Sequence, residues 1–251
     1  MTETTTNVFA DRVIRETCNV TSIDTSKMAL NSIHLAPFGD LGTRVTGTDS
    51  YRAVTAIVNA QPFDQPMIHD PANGSTWGDV VANATPLPGH YPKMEQIFDS
   101  ARAGIPGVPV VSVRPYGGYR RRGVGDYSFR WASSDIAEWA YFDGERRKPN
   151  GIVKLEVTDS TLCVTLGMQV KDPGKHRVPT ATMWESRSRE LFKVDGELSD
   201  TNRTIGVFYA SYLPDFNAVT GIRCGEGELS PLYLELGEIE YVVMPIRVPE
   251  A

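Results

Sequence analysis

Between Arg114 and Arg130 the chain reads Arg-Pro-Tyr-Gly-Gly-Tyr-Arg-Arg-Arg-Gly-Val-Gly-Asp-Tyr-Ser-Phe-Arg. Five arginines (Arg114, Arg120, Arg121, Arg122 and Arg130), three tyrosines and a phenylalanine stand around four glycines. Guanidinium groups pair with phosphates and carboxylates, and aromatic rings stack on flat groups. Glycines let such a segment bend. Two chemistries fit. In the first, the arginines bind acidic patches on a neighbouring subunit, Glu226 and Glu228 for example, with Tyr116 and Tyr119 as contact anchors. In the second, the arginines meet phosphates while Tyr116 and Tyr119 stack on bases or sugars. The subunit contact is taken forward, with local nucleic-acid contact kept beside it; a plain solvated loop is the bland reading.

The rest of the chain is poor in reactive constellations. The histidines are His34, His69, His90 and His176, and no pair has the spacing of a metal-binding motif. His69, Asp70 and His90 share a loop region and could converge as a facial triad, but loop histidines are ordinarily solvated polar groups. No nucleophile elbow, phosphate-binding loop or dinucleotide fingerprint is present. Cys163 reads as a core residue and Cys18 as the more reachable thiol. Glu156, Glu235, Glu238 and Glu240 could supply the paired acids of glycoside hydrolysis, and Trp131, Trp139 and Trp184 a sugar platform. Acids on a solvated strand face and tryptophans in a core are the plainer readings. No catalytic residue, metal site or cofactor is therefore expected.

Composition narrows the class. The chain has 251 residues and a formal net charge of -6, so a polyanion would have to be met locally. Three widely spaced cysteines argue against a disulfide framework. The polar start gives no sign of a secretory leader, and no stretch approaches a membrane span. An assembly site in the cytoplasm follows as an expectation.

Residues 1 to 30, rich in Thr and Asn, read as an extended N-terminal arm with anchors at Val8, Phe9, Val13 and Ile14. Residues 31 to 251 read as one domain of strands and turns. Tyr51 to Val58 is a β-branched strand, and residues 69 to 92 a long loop. Short helices are predicted at 93 to 103 and 134 to 142. Strands are predicted at 108 to 113 and 127 to 131. The clearest β signal is Ile152 to Val170, a hairpin turning at Thr158-Asp-Ser-Thr161. Long strands are predicted at 203 to 213 and 232 to 248. Strands without regular alternating helices exclude a doubly wound sheet and predict an all-β sandwich, most simply a jelly roll.

Arg52-Ala-Val-Thr-Ala-Ile-Val-Asn-Ala-Gln-Pro-Phe63 resembles a strand and corner of picorna-like virus capsid proteins. The resemblance covers about a dozen residues and departs from the pattern at Asp64-Gln-Pro-Met. It implies a virion capsid subunit that acts by association with copies of itself or related subunits. The alternatives are a β-sandwich carbohydrate-binding module or glycoside-active enzyme, and a phage tail or connector component.

Overall fold

The computed structural model describes residues 3–21, 30–89, 111–115, 151–171, 179–184, 188–194, 202–214, 219–225 and 227–248. Among them are two α-helices and fourteen strands, so the fold is mostly β.

In place of the extended arm, Glu3–Val20 form helix α1. Ala10, Val13, Ile14, Thr17 and Val20 recur three or four apart and are each at most 1% exposed. That spacing lines one face of a helix. Threonine and asparagine are indifferent helix formers, which disguises the segment. Packing of the apolar stripe decides the outcome instead. Thr17 is tolerated in that stripe because its hydroxyl donates to the Val13 carbonyl at 2.6 Å.

The chain forms two compact units. The first comprises Met1–Ala103 and Glu235–Val242, the second Gly104–Leu234 and Val243–Ala251.

The first unit holds β1 (Ile33–Pro37), β2 (Thr43–Thr48), β3 (Arg52–Val58), β4 (Met67–His69), β5 (Thr85–Pro86) and β14 (Ile239–Val243). Their order across the sheet is β14, β3, β2, β1, β4, β5. β2 and β3 pair antiparallel without a break, from Thr43 opposite Val58 to Thr48 opposite Ala53. Alternation therefore puts Val45, Gly47, Val54, Ala56 and Val58 on one face. α1 packs on β1, β2 and β3. A Cβ on Gly47 would strike Thr17, which fixes this as the face that carries the helix. Arg44, Thr46, Thr55 and Ile57 take the other face, where the Thr46 and Thr55 hydroxyls bond at 2.9 Å.

The loop predicted at 69 to 92 contains helix α2, Trp77–Asn83. Its N-terminus is a reciprocal cap. The Thr76 hydroxyl accepts from the Asp79 amide at 3.1 Å, and the Asp79 carboxylate accepts from the Thr76 amide at 3.0 Å.

The second unit is built on the predicted hairpin. β7 (Gly151–Thr158) and β8 (Thr161–Lys171) pair antiparallel through a two-residue turn, Asp159-Ser160. Both turn residues have positive φ, 49° and 59°. That conformation suits the right-handed twist of a tight hairpin. The turn is braced from outside: the Asp159 amide donates to the Asn202 side-chain oxygen, and the Val194 amide to the Ser160 carbonyl, both at 2.9 Å. The remaining strands are β6 (Val111–Pro115), β9 (Pro179–Trp184), β10 (Arg189–Val194), β11 (Arg203–Tyr209) and β12 (Gly221–Cys224). The order is β11, β7, β8, β10, β6, β12, with β9 also beside β8. Ile205 and Phe208 join Val153, Leu155, Val157, Leu162, Val164 and Leu166 in the buried core.

The single strand predicted at 232 to 248 is two. β13 (Leu232–Leu236) and β14 are separated by a turn at Gly237 and Glu238, where Gly237 has φ 67°. The helices predicted at 93 to 103 and 134 to 142, and the strand at 127 to 131, lie outside the described residues.

Candidate nucleic-acid interface

Among the described residues, polar contacts from three different elements tie α1 to its unit. The backbone amide of Trp77, an orphan donor in the first turn of α2, donates to Asp11 Oδ1 at 2.7 Å. The Tyr241 hydroxyl on β14 donates to a Glu16 carboxylate oxygen. The Arg52 guanidinium on β3 donates to the Asn19 carbonyl at 2.7 Å. Burial pushes the Tyr241 hydroxyl well above its ordinary pKa, and the Glu16 carboxylate adds to the shift.

These ties sort the charges of the helix. Asp11 and Glu16 are both engaged in hydrogen bonds, while Arg12 and Arg15 are exposed. Val8, Arg12, Arg15 and Asn19 follow one another at spacings of four, three and four, so they form one exposed stripe. It lies opposite the buried stripe of Val13, Ile14 and Thr17. A rigid helix that presents two arginines to solvent can meet phosphates without reading bases.

The residues singled out from sequence are placed unevenly. Arg114 lies on β6, where its backbone is opposite Lys193 of β10. Tyr116, Tyr119, Arg120, Arg121, Arg122 and Arg130 lie outside the described residues. His34 and His69 are buried strand residues, so His69 is not the loop group expected; its Nε2 bonds the Gly74 carbonyl oxygen at 3.1 Å. His90 and His176 lie outside the described residues. No metal-ligating group of three or more acids, histidines or cysteines occurs among the described residues.

The candidate acids are divided between the two units, Glu156 in the second and Glu235, Glu238 and Glu240 in the first. Glu156 is paired with Lys154 at 3.0 Å and accepts from the Thr204 hydroxyl at 3.2 Å. Glu238 and Glu240 line a depression of about 360 Å³ in the first unit with Phe38, Arg44, Thr55 and Ile57, and Arg44 stands 4.4 Å over the Phe38 ring. Trp184 is held against its own sheet, in the space where a Gly167 side chain would be, and Trp77 is buried. Trp131 and Trp139 lie outside the described residues. Burial raises the thiol pKa of all three cysteines, and Cys18 alone is less than fully buried.

No protein-family model and no curated protein matches the chain. Solved structures do. A DNA polymerase sliding clamp from Pseudomonas aeruginosa superposes over 97% of this chain and 65% of its own, with a TM-score of 0.58 at 15% identity. The fold is that of the bacterial sliding clamps. The β subunit of DNA polymerase from Streptococcus pyogenes matches over 96% of this chain and 64% of its own, with a TM-score of 0.57 and 14% identity. The polymerase III β subunit of Caulobacter crescentus gives 97%, 65%, 0.57 and 16%. The chain thus spans just under two thirds of the length of these clamp chains.

The clamp fold corrects several expectations. It replaces the jelly roll and removes the basis for a capsid subunit and a virion setting. It equally displaces the carbohydrate-binding or glycoside-active module and the tail or connector component. The capsid resemblance at Arg52 to Phe63 rested on β3 and the corner after it. That corner is closed locally, with the Ala60 amide on the Val58 carbonyl and the Thr43 hydroxyl on the Ala60 carbonyl, both at 2.7 Å. A β-branched strand ending in such a corner is common to many sheets. Sequence reasoning missed Arg12 and Arg15. The available signal was their position opposite Val13 and Ile14 once the segment is read with helical period.

Proposed function

We propose that this chain is the subunit of a DNA sliding clamp, which associates with copies of itself into a closed ring around duplex DNA and tethers a replicative DNA polymerase. The observation that carries the reading is the fold match over 97% of the chain to a protein described as a DNA polymerase sliding clamp. The exposed Arg12 and Arg15 on α1 support it. A ring retains DNA by enclosing it, so the protein needs only weak, sequence-independent phosphate contacts. A chain with net charge -6 and a local basic stripe suits that requirement better than a uniformly basic one. The role is non-enzymatic, and closure requires a head-to-tail interface whose rotation returns to the start. The segment from Arg114 to Arg130 enters this reading as a further contact, with a neighbouring subunit or with DNA.

The test has two arms. Light scattering and electron microscopy of the purified chain should show closed rings whose mass is a whole multiple of 27.7 kDa. Loaded rings should stay on covalently closed circular DNA through a high-salt wash and be lost once the DNA is linearised. A chain that stays monomeric, or that leaves circular and linear DNA equally fast, contradicts the reading.

A further inference from the structure

Helix α1 carries no basic residue in its last turn. A helix C-terminus leaves carbonyl groups without intrahelical partners and favours a nearby cation. Here the Thr21 amide reaches the Thr17 carbonyl at 3.2 Å, and the Thr21 hydroxyl reaches the Cys18 carbonyl at 2.9 Å. The Asn19 carbonyl is served from outside the helix, by Arg52 Nη2 at 2.7 Å. Asn19 belongs to the exposed stripe of Val8, Arg12 and Arg15.

Arg52 is itself held. Its Nε donates to Asp49 Oδ2 at 3.0 Å, while Asp49 Oδ1 accepts the backbone amides of Tyr51 at 2.9 Å and Arg52 at 3.0 Å. The Thr48 hydroxyl donates to the Arg52 carbonyl at 2.7 Å and accepts the Ser50 amide at 3.0 Å. The β2–β3 turn is thereby stitched into a rigid holder. The Arg52 side chain is 17% exposed, which leaves little of it for a phosphate. Arg52 and Arg12 both lie near enough to Tyr241 to favour its ionised form.

We infer that Arg52 is a positioning residue for the DNA-facing stripe of α1: locked by Asp49, it supplies the cation that the helix end lacks and fixes the direction in which Arg12 and Arg15 point. This inference rests on the reading of α1 as the DNA-facing helix. It distinguishes two jobs that arginines do. Arg12 and Arg15 would meet phosphates, and Arg52 would hold the helix that carries them.

The test uses the full chain, a short linear DNA duplex followed by fluorescence anisotropy over a salt series, and amide hydrogen exchange over α1. In Arg52→Ala, duplex affinity should fall roughly five-fold, the scale of a lost helix-end charge contact, with the slope of log affinity against log salt unchanged. Exchange over residues 16 to 20 should quicken by a similar factor. Arg52→Lys should recover much of both, since an ammonium still reaches the Asn19 carbonyl. Asp49→Asn, which leaves Arg52 in place but loosens it, should reproduce part of the loss. Arg12→Ala with Arg15→Ala should instead flatten the salt slope by about two, near 0.9 for each phosphate contact removed. A salt slope that drops by about one in Arg52→Ala would make Arg52 a direct phosphate contact and overturn the inference, as would unchanged exchange with duplex binding intact. A wild-type chain that neither binds the duplex at the lowest salt nor stays on closed circular DNA overturns the DNA reading on which the inference rests, whereas unchanged exchange over residues 16 to 20 in Arg52→Ala overturns the inference alone.

Discussion

Thr17 on α1 and Gly47 on β2 meet across the space that a single methyl group would fill. A Cβ on Gly47 would fall 2.5 Å from Thr17 Cγ2 and 3.1 Å from the Thr17 carbonyl oxygen. The helix therefore rests on the sheet at a distance that only glycine permits. Gly47→Ala should push α1 outward and lower stability by about 1–3 kcal/mol, the range for overpacking a filled core. Thr17→Ser removes the nearer obstacle, the Cγ2 methyl. In the double variant it should recover part of the loss, as read by thermal or urea denaturation. Independent, additive effects of the two substitutions would contradict the contact.

A second close approach offers an optical readout. A Cβ on Gly167 would sit 2.5 Å and 2.6 Å from two carbons of the Trp184 indole, whose ring also carries Lys154 Nζ at 5.7 Å. Gly167→Ala should displace the indole into solvent and shift its emission to the red. In a Trp184→Phe background the Gly167→Ala substitution should leave the emission unchanged, which assigns the signal to this tryptophan among the four in the chain.

Acid should loosen the start of α2. The Thr76 hydroxyl and amide hold the Asp79 carboxyl below its ordinary pKa. A carboxyl with a depressed folded-state pKa contributes stability that is complete above its unfolded value and lost as pH falls through the lowered one. The protection of the α2 amides, corrected for the intrinsic pH dependence of exchange, should therefore fall as pH drops below the ordinary carboxylate range. Asp79→Asn should already show low protection at neutral pH, and that protection should change less with acid.

Alkali should act through Tyr241, in the opposite sense. Its folded-state pKa is raised, so its contribution is complete below the ordinary phenol value of about 10 and declines as pH rises past it. The melting temperature of the wild type should fall more steeply above that point than that of Tyr241→Phe. At neutral pH the phenylalanine variant should be less stable by about 1–3 kcal/mol, because Glu16 loses its hydroxyl donor at a half-buried site.

The sequence disclosed what local chemistry determines. The β7–β8 hairpin was legible because Ile152 to Val157 and Leu162 to Val170 alternate cleanly around a two-residue turn. α1 was hidden by residue types: Thr4, Thr5, Thr6 and Asn7 mark a segment as irregular, and only its buried face explains the helix. α2 did leave a signal, the Thr76 and Asp79 spacing of a capping box, within a stretch whose prolines and glycines suggested a loop. The turn at Gly237 and Glu238 was masked by apolar residues on both sides. The candidate site was illegible for a different reason. Arg12 and Arg15 belong to no motif, and their exposure depends on where a helix stands on a sheet rather than on a constellation of reactive groups.

Among the described residues, the first unit's strand order ends at β5. β5 is two exposed residues long, and the second is Pro86, which has no amide hydrogen to offer. An incoming strand would find almost no ladder to join there. A chain proposed to associate with copies of itself must also stop associating, and at this margin growth into open-ended fibres has no template.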